Sequence, residues 1–506
     1  MYSYLYYMLK EEEQGVEYIT VKKTECDKLL FEHESLKQQL AELKRLIFGQ
    51  KTERFKPQEE SSTIKQLSLF DLTDSAEEQV ETKEITYTKT ITKKPKQLPK
   101  RKALPPHLPR EEEIIEPKGI TPKHKKIGEE ITEVLEMIPS KLYVRKIVRP
   151  KYINIETENI IVADLPSLPI PKGNAGASVL AQINVSKFVD HLPLYRQMQI
   201  FKRFGYNVSK STIGGWFSQS TSLLTTLYKK LEESIFLNAD YLQIDESPIK
   251  VQDIEKKGSL HQGYMWVIRN PIKGLVLFKY NKGRSRSVPE SIFKNFNGTL
   301  QTDGYKVYQG LKTKGKISLL GCMAHARRYF DKAKDNDYKR AEHVLTEMQK
   351  LYTIERKARE HKISADTRKR YRNLYALPIL NELEQWLKEN QVIVKPKSSI
   401  GKAINYTINL YPNLKRYIED GRYEIDNNMI ENTIRPLALG RKNYLFAGSH
   451  DAAQAYAMMY SFFATCKINN INQYDWLFDV FSKIQNHKIN KLSQLLPQNW
   501  NNTQIK

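Results

Sequence analysis

Two carboxylates stand inside apolar, strand-like runs of this sequence. Asp245 lies in YLQIDESPIKV, residues 241–251, and Asp303 ends the apolar run of LQTDGYKVY. Burying an unpaired carboxylate costs several kcal/mol, so such a residue becomes neutral, forms a pair or binds a metal ion. Because side chains alternate along a strand, Asp245 and Glu246 point to opposite faces, and only one of them can face a given site. Asp245 and Asp303 are candidates for one shared site.

A third carboxylate, Glu431, lies in the polar helical segment NNMIENTIRP. Three polar residues fall one turn away on its face of the helix: Asn427, Asn428 and Arg435. Carboxylates from separate elements can hold two Mg²⁺ ions about 4 Å apart, which activate one oxygen and stabilise the leaving oxygen in phosphodiester displacement. By spacing, Glu424 and Asp426 are alternative third ligands, although Asp426 also fits a helix cap. Each carboxylate alone also has a structural interpretation, because Asp-Gly is typical of a turn and buried acids are commonly paired.

The charge balance favours a polyanionic partner. In 506 residues, Lys and Arg number 81 and Asp and Glu number 58, which gives a formal net charge of +23. A surplus of this size indicates nucleic acid first and an anionic membrane second. No apolar run approaches the roughly 20 residues of a spanning helix, and the start lacks the pattern of a signal peptide. The three cysteines, Cys26, Cys322 and Cys466, form no C-x-x-C pair, so we expect a cytoplasmic, nucleoid-associated protein without disulfides.

The first part of the chain combines a short apolar seam with a polar, basic stretch. Seam residues recur at spacings of three and four from Cys26 to Ile47, which favours a self-associating coiled coil of about three heptads. The alternative is a helix that packs against its own chain. The following segment, which includes TYTKTITKKPKQLPKRKALPPHLPREEE, has the composition of a disordered basic linker. Short β-like pieces bounded by prolines then predict a small β module.

The central region predicts a pair of helices followed by a sheet. In SKFVDHLPLYRQMQIFKRFGYNVSKSTIGGWF one helix ends at Gly205, and a second begins after Ser209, a favoured N-cap residue. This pattern fits a helix-turn-helix, although an ordinary helical hairpin fits equally well. Three strands with tight connections, then strands alternating with helices, predict a mixed α/β sheet. The Lys-, Arg-, Glu- and Leu-rich stretch 331–421 predicts a helical insertion.

These patterns divide the chain into eight segments. In order they are an N-terminal helix or coiled coil (1–55), a basic, mostly disordered linker (56–113), a small β module (114–172), a helical, helix-turn-helix-like DNA-binding region (173–236), the first part of a catalytic core (237–330), a helical insertion (331–421), the completion of the core with the third acidic residue (422–485) and a C-terminal tail (486–506).

Several ordered blocks of the sequence resemble one known family. They are IGEEITEVLEMIP, VRPKY, SKFVDHLPLYRQMQIFKRFG, STIGGWF, QIDESPIKV, QTDGYKVY, GCMAHARRYF and IDNNMIENTIRPLALGRKNYLFAGS. By these blocks the chain resembles the IS-sixty-six family of insertion-sequence transposases over nearly its whole length. That family is similar to the DDE transposases. The resemblance implies a multidomain α/β protein whose ribonuclease-H-like mixed-sheet core is interrupted by the helical insertion.

The resemblance also implies roles for individual residues. The acidic motif of the family falls on Asp245, Asp303 and Glu431, which implies that these three are catalytic and hold Mg²⁺, with Mn²⁺ as an alternative. Candidate DNA contacts are Lys210, Arg327, Arg328, Arg435, Arg441 and Lys442, and candidate auxiliary residues are His325 and Asn428. A solvated basic face is the alternative for the arginines and lysines, and a packed structural histidine is the alternative for His325.

One departure from the family concerns zinc. Many relatives have two C-x-x-C pairs in the β module, which form a zinc ribbon, whereas the corresponding stretch of this chain has none. No tetrahedral thiolate site can be built from it, so we expect no structural zinc. The β module must then be stabilised by packing alone.

The expected function is that of a metal-dependent DNA transposase. It would bind the terminal inverted repeats of its element, cleave at their ends and join the 3′-hydroxyl to target DNA. The alternatives are a ribonuclease-H-like nuclease that only hydrolyses, and a catalytically inactive or domesticated copy that acts as a DNA-binding repressor. Expected partners are terminal and target DNA, further copies of the chain and accessory proteins of the same element, with no membrane.

Overall fold

The structure is a computed structural model of the chain. It describes residues 6–12, 15–21, 142–153, 160–162, 164, 166–171, 173–253, 258–311 and 316–500. The chain divides into two compact units, one formed by Met1–Pro57 together with Arg149–Lys506 and the other by Gln58–Val148. Of the second unit only 142–148 are described, and they form no regular secondary structure. The apolar seam and all of the basic stretch after it, residues 56–113, lie outside the described residues.

Two small antiparallel ribbons precede the helices in sequence. Strand β1 (Tyr6–Glu12) pairs with β2 (Gly15–Val21), and β3 (Lys151–Ile153) pairs with β4 (Ile160–Val162). The first ribbon differs from our expectation of helix in the segment 1–55. Its Tyr, Val, Ile and Thr residues favour extended backbone, and this local preference prevails over the helical pattern that begins further along the chain. The second ribbon lies within the predicted β module.

Four helices follow in the region that the sequence assigns to DNA binding. They are α1 (Ala177–Phe188), α2 (Leu194–Arg203), α3 (Lys210–Leu223) and α4 (Thr225–Phe236). Helix α2 ends before a turn in which Gly205 has a φ of +82°, a conformation that glycine adopts without strain. Helix α3 begins after Ser209, whose Oγ accepts a hydrogen bond from the Thr212 N–H at 3.1 Å. The predicted helix end and N-cap are both confirmed.

A five-stranded mixed sheet forms the centre of the larger unit. Its strands are β5 (Tyr241–Gln252), β6 (Leu260–Asn270), β7 (Leu275–Asn281), β8 (Gly298–Gln301) and β9 (Ile317–Leu320). The spatial order is β7-β6-β5-β8-β9, so β5 lies in the middle. Strand β6 is antiparallel to both β5 and β7, whereas β8 and β9 run parallel to β5. The predicted mixed α/β sheet is confirmed.

Short helices connect the strands, and long ones fill the insertion. The connecting helices are α5 (Ser287–Ile292) and α6 (Lys306–Gln309), and α7 (Met323–Ala333) follows β9. The insertion consists of α8 (Tyr338–Glu360), α9 (Ala365–Gln391), α10 (Ser399–Lys415) and the 3₁₀ turn Arg416–Ile418. The described residues of the stretch 331–421 thus contain only helices and their connections, as the sequence predicts.

Three further helices complete the unit. They are α11 (Asn428–Tyr444), α12 (His450–Ile468) and α13 (Gln473–Lys483), followed by the 3₁₀ turns Ile489–Leu495 and Pro497–Asn499. One cluster of buried apolar residues packs the sheet against helices that precede it and follow it in sequence, α1–α4 and α11–α13. A second cluster packs α7 against the helices of the insertion. None of the described helices is long and apolar enough to cross a membrane.

Helix α12 covers the outer edge of the sheet at β7. The Val276 N–H donates to Thr465 Oγ1 at 3.2 Å, and the Phe278 N–H donates to Ser461 Oγ at 2.8 Å. Both hydroxyl side chains are fully buried. Two backbone donors that an edge strand would otherwise leave unpaired are therefore satisfied by side chains of the helix.

Candidate active site

Asp245 and Asp303 each lie two residues after one of a pair of glutamines that are opposite each other on neighbouring strands. Strand β5 is paired in parallel with β8 so that Gln243 lies opposite Gln301. Each aspartate comes two residues after its glutamine, and side chains two apart along a strand share a face. Asp303 lies just past the end of β8, and its charge helps to raise the pKa of Asp245, so the two carboxylates are near each other. As whole residues, both aspartates are partly exposed to solvent.

A buried polar network lies directly below the two aspartates, and sequence analysis missed it. The Gln243 side-chain amide donates to Gln301 Oε1 at 2.9 Å, and the Tyr241 hydroxyl donates to the same oxygen at 2.6 Å. Arg269 in turn donates to Gln243 Oε1 at 3.0 Å. The signal was present as the repeated pattern Gln-x-Asp, in QID at 243–245 and QTD at 301–303. The network fixes the position of β5 relative to β8 at the residues that precede the two aspartates.

Asp245 lies in an environment that disfavours its negative charge. Burial is the largest cause that raises its pKa, to about 8, and the charges of Glu246, Asp303 and Glu431 add to the effect. A backbone hydrogen bond from the Glu246 N–H to Asp245 Oδ1, 2.8 Å long, acts in the opposite direction. Desolvation and nearby like charges both favour the protonated acid. A cation placed among these carboxylates would therefore be strongly attracted.

Glu246 is engaged away from this group of carboxylates, as strand alternation predicts. Its side chain is only 2% exposed, and its Oε1 accepts a hydrogen bond from Arg284 Nε at 2.9 Å. The Tyr308 hydroxyl donates to the other carboxylate oxygen. A buried acid with a cationic partner and a hydroxyl donor is a satisfied structural group. Of the two adjacent acids, only Asp245 remains available for chemistry.

Two hydrogen bonds fix helix α11 along strand β5. Just before the helix, the Asn427 side-chain amide donates to the Ile244 carbonyl at 3.1 Å. In the last turn, Arg441 donates to Ser247 Oγ at 2.9 Å. These anchors contact β5 on either side of position 245. The third carboxylate, in the first turn of the helix, is thereby placed near the carboxylate on β5.

Glu431 is paired with a side chain of helix α7. Arg328 Nη1 lies 3.1 Å from Glu431 Oε1, and Arg328 Nη2 lies 2.6 Å from Oε2. His325 Nε2 lies 3.8 Å from Glu431 Oε1. All three side chains are about one quarter exposed. The predicted auxiliary histidine and one predicted DNA contact are thus brought together at the third carboxylate.

The two rival carboxylates have structural partners. Glu424 forms ion pairs with Arg359 at 2.8 Å and with Arg368 at 3.5 Å. Asp426 is buried, and its carboxylate accepts hydrogen bonds from the Tyr352 hydroxyl at 2.9 Å and from both the backbone and side-chain N–H groups of Asn428, at 3.1 and 2.9 Å. Asn428 therefore supports the start of α11 in this structure. Of the three acids in this segment, only Glu431 is among the charges that raise the pKa of Asp245.

The remaining predicted DNA contacts are not brought together in one cluster. Lys210 is exposed in the first turn of α3, and Arg435 and Lys442 are exposed on α11. Arg327 is partly exposed on α7. Arg441 is instead held by its hydrogen bond to strand β5. Sequence alone could not separate an arginine that anchors a helix from one that faces solvent, because both lie in the same basic block.

The carboxylates of Asp245, Asp303 and Glu431 are ligands of the kind that a hard divalent cation binds, although they do not form a complete coordination site. In the part of the chain that the structure describes, no three His, Cys, Asp or Glu side chains form a ready metal site. Glu431 is turned to Arg328 instead. Carboxylate oxygens are the ligands that Mg²⁺ and Mn²⁺ prefer. Burial is the largest cause of the raised pKa of Asp245, and a bound cation would offset the smaller effect of its acidic neighbours.

Comparison with family models matches the segments on which this geometry rests. The model described as Transposase IS66 family matches residues 172–455, which include all three carboxylates. The model described as Transposase C of IS166 homeodomain matches residues 35–112, and the one described as IS66 C-terminal element matches residues 461–498. Together the three matches span most of the chain.

Curated relatives of similar length come from Sinorhizobium fredii, and each is named only as an uncharacterized protein. The protein y4jD is 32% identical in an alignment 422 residues long that covers 79% of this chain and 82% of the relative. The protein y4qI is 31% identical in an alignment 430 residues long that covers 80% of this chain and 79% of the relative. The protein y4hP is 29% identical in an alignment 431 residues long that covers 79% of this chain and 77% of the relative. With a family model that matches more than half of its residues, the chain belongs to the IS66 family of transposases.

Proposed function

We propose that this transposase binds the terminal inverted repeats of its element, cleaves DNA at their ends and joins the resulting 3′-hydroxyl to target DNA. The observation that supports this most directly is the register of the sheet. Gln243 on β5 lies opposite Gln301 on the parallel strand β8, and Asp245 and Asp303 each follow their glutamine by two residues. Helix α11 adds Glu431. Acids brought together from separate elements are ligands suited to the divalent metal ions of phosphoryl transfer.

The strand order supports a ribonuclease-H-like core. Three antiparallel strands are followed by two strands parallel to the first, and the first strand lies in the middle of the sheet. In this arrangement the first and fourth strands are neighbours, which brings Asp245, within the first strand, close to Asp303, just after the fourth. The insertion α8–α10 separates these strands from α11 in sequence, and the chain returns to β5 through Asn427.

The three acids divide two roles between them in this proposal. Asp245 and Asp303 would hold divalent metal, Mg²⁺ or Mn²⁺, on the sheet, and Glu431 would complete the ligand set after it leaves Arg328. When bound, the metal would activate the attacking oxygen and stabilise the leaving oxygen. The chain's own contribution is to hold the carboxylates on rigid elements, which keeps the scissile phosphate in one position.

DNA outside the reacting phosphate would be held by cationic side chains. Lys210, Arg435 and Lys442 are exposed, and the net charge of +23 favours a polyanion. Such phosphate contacts fix position on the duplex without reading sequence. The copies of the chain needed to hold two ends would associate through the N-terminal seam.

A strand-transfer assay tests the proposal. Labelled duplexes that carry the element's end, taken from the DNA flanking the gene, are incubated with the protein, a supercoiled target plasmid and Mg²⁺. Joined products support the proposal, cut ends without joining indicate a nuclease, and DNA retention alone indicates a repressor. The Asp245→Asn variant is the matched control, because it keeps the side-chain shape but removes the carboxylate.

A further inference from the structure

A stacked pair of tyrosine rings lies beside Asp303. The Tyr406 hydroxyl donates a hydrogen bond to the backbone carbonyl of Asp303 at 2.9 Å. The ring of Tyr406 stacks on that of Tyr329, with centroids 4.2 Å apart and planes inclined by 21°. Tyr329 nevertheless remains 42% exposed. An aromatic surface therefore begins next to the candidate active site and extends to solvent.

The helix that bears Tyr329 also faces the third carboxylate. Arg328, its neighbour on α7, binds Glu431. Lys332 lies one turn after Tyr329 and is exposed, so a cation lies on the same side of the helix as the aromatic surface. A flat apolar ring next to an exposed cation is complementary to a nucleotide, which has a flat base and an anionic phosphate.

Packing of the helices does not account for the exposed ring. Helix α7 and the insertion share a core cluster of fully buried residues, among them Phe330, Ala403 and Ile404. Tyr329 is not part of that cluster. Leaving so much of an aromatic side chain in water forgoes the free energy that its burial would contribute. The exposed part of the ring is thus available to a ligand.

We propose that Tyr329 and Tyr406 form a stacking platform for an unpaired nucleobase of the strand whose phosphate lies at Asp303. This inference rests on the proposed function, because it takes the carboxylates as the place of the reacting phosphate. Stacking on an aromatic ring is tolerant of base identity, since every base has a π-face. The platform would hold the strand end in place while contributing no sequence preference of its own.

The test uses 2-aminopurine, an adenine analogue whose fluorescence falls when it stacks. One duplex carries the analogue in a short single-stranded overhang, and a blunt duplex of the same sequence carries it within the base pairs. Binding is measured without divalent metal, so that no DNA is cut. We expect the protein to quench the overhang, and Tyr329→Ala to remove this quenching and bind the overhang duplex about tenfold more weakly. Binding of the blunt duplex should not change.

Matched variants separate stacking from structure. Tyr329→Trp should keep the quenching, whereas Tyr329→Leu, which keeps apolar packing without a π-face, should lose it. Tyr338→Ala is the control, because Tyr338 is a similarly exposed tyrosine, 46%, on α8, and it should behave as the unaltered protein. Tyr406→Phe keeps the ring and removes only the hydroxyl that contacts Asp303, so it too should quench.

The outcomes distinguish the platform from the function on which it rests. Unchanged quenching in Tyr329→Ala, or an equal loss of affinity for blunt and overhang duplexes, would overturn the platform and leave the proposed function intact. If the protein binds neither duplex, nor a duplex with the element's end, the proposed function fails and the platform fails with it.

Discussion

Arg328 forms a bidentate ion pair with Glu431, with one guanidinium nitrogen 3.1 Å from Oε1 and the other 2.6 Å from Oε2. A bidentate pair of this kind is directional and uses the lone pairs that a metal ion would also use. In the proposed function, the guanidinium and the divalent cation therefore compete for one side chain. The site would be completed only when Glu431 exchanges one partner for the other.

This competition predicts the effect of Arg328→Gln on metal binding. Removing the guanidinium releases Glu431, so we expect Mg²⁺ or Mn²⁺ to bind about two- to fivefold more tightly, the scale of a partly exposed ion pair. Calorimetric titration of the protein without DNA measures it. The double variant Arg328→Gln, Glu431→Gln should show no gain. Weaker binding in the single variant would mean that Arg328 orients Glu431 for the metal instead of withholding it.

The three acids should be individually indispensable for catalysis. We expect Asp245→Asn, Asp303→Asn and Glu431→Gln each to abolish cleavage and joining, because each removes a charged metal ligand while keeping the side-chain shape. Folding and DNA retention should persist, as measured by circular dichroism and gel shift. Near-normal activity in Glu431→Gln, together with an inactive Glu424→Gln, would move the third ligand to position 424.

Asp426→Asn should affect stability rather than chemistry. The buried carboxylate of Asp426 accepts hydrogen bonds from Tyr352 and from two groups of Asn428, and the amide that replaces it can accept fewer. We expect a loss of about 1 to 3 kcal/mol in the free energy of unfolding, measured by urea denaturation, with cleavage per folded molecule unchanged. A fully folded but inactive variant would show that Asp426 belongs to the metal site.

Lys187 should make stability depend on pH. Its ammonium is surrounded by four aromatic rings, the nearest being Tyr456 with its centroid 4.6 Å away, and burial lowers its pKa to about 8. The unfolded lysine titrates near 10.5, so the cost of burying the charge is complete below pH 8 and disappears as the pH rises towards 10.5. The rings offset part of this cost.

Lys187→Met should therefore stabilise the protein at pH 7, by about 1 to 3 kcal/mol, and much less at pH 10. Urea denaturation of both proteins at the two pH values measures the difference. If the variant is instead less stable at pH 7, attraction between the ammonium and the aromatic rings outweighs desolvation.

The apolar seam should determine oligomeric state. A stripe of about three heptads is too short to be stable as a lone helix in water, so we expect it to pair with a second copy. The double variant Leu36→Asp, Leu40→Asp should lower the mass measured by analytical ultracentrifugation to that of a single chain. An unchanged mass would place the association surface elsewhere.

Sequence analysis succeeded where the signal was local. The turn at Gly205 and the cap at Ser209 depend on residues within one helical turn, and both lie where the sequence places them. The same holds for the helices of the insertion, whose apolar spacing is continuous over many residues. The ribbon at 6–21 was missed because we extended the helical pattern of the seam towards the N-terminus, past residues that favour strands.

Contacts between distant segments were not predictable in the same way. The pairing of Gln243 with Gln301 joins residues 58 positions apart, and the pattern Gln-x-Asp acquires meaning only when the two strands are known to be neighbours. Likewise, Arg328 and Arg441 resemble the exposed basic residues around them, yet one binds Glu431 and the other binds Ser247. The type of a residue indicates what it can bind, whereas its partner depends on the tertiary fold.

The side chains that cover strand β7 also determine how copies of this protein can meet. Because Ser461 and Thr465 occupy the Phe278 and Val276 N–H groups, another strand cannot add to the sheet at this point of its edge. At the opposite edge, Arg416 donates to the Leu319 carbonyl at 3.0 Å. Replacing Ser461 and Thr465 by alanine would leave these two buried N–H groups unpaired and weaken the contact of α12 with the edge. An edge that α12 no longer covers would be a template for intermolecular β-pairing and aggregation. In the proposed assembly on DNA, copies of the chain would therefore meet through surfaces other than this part of the β7 edge.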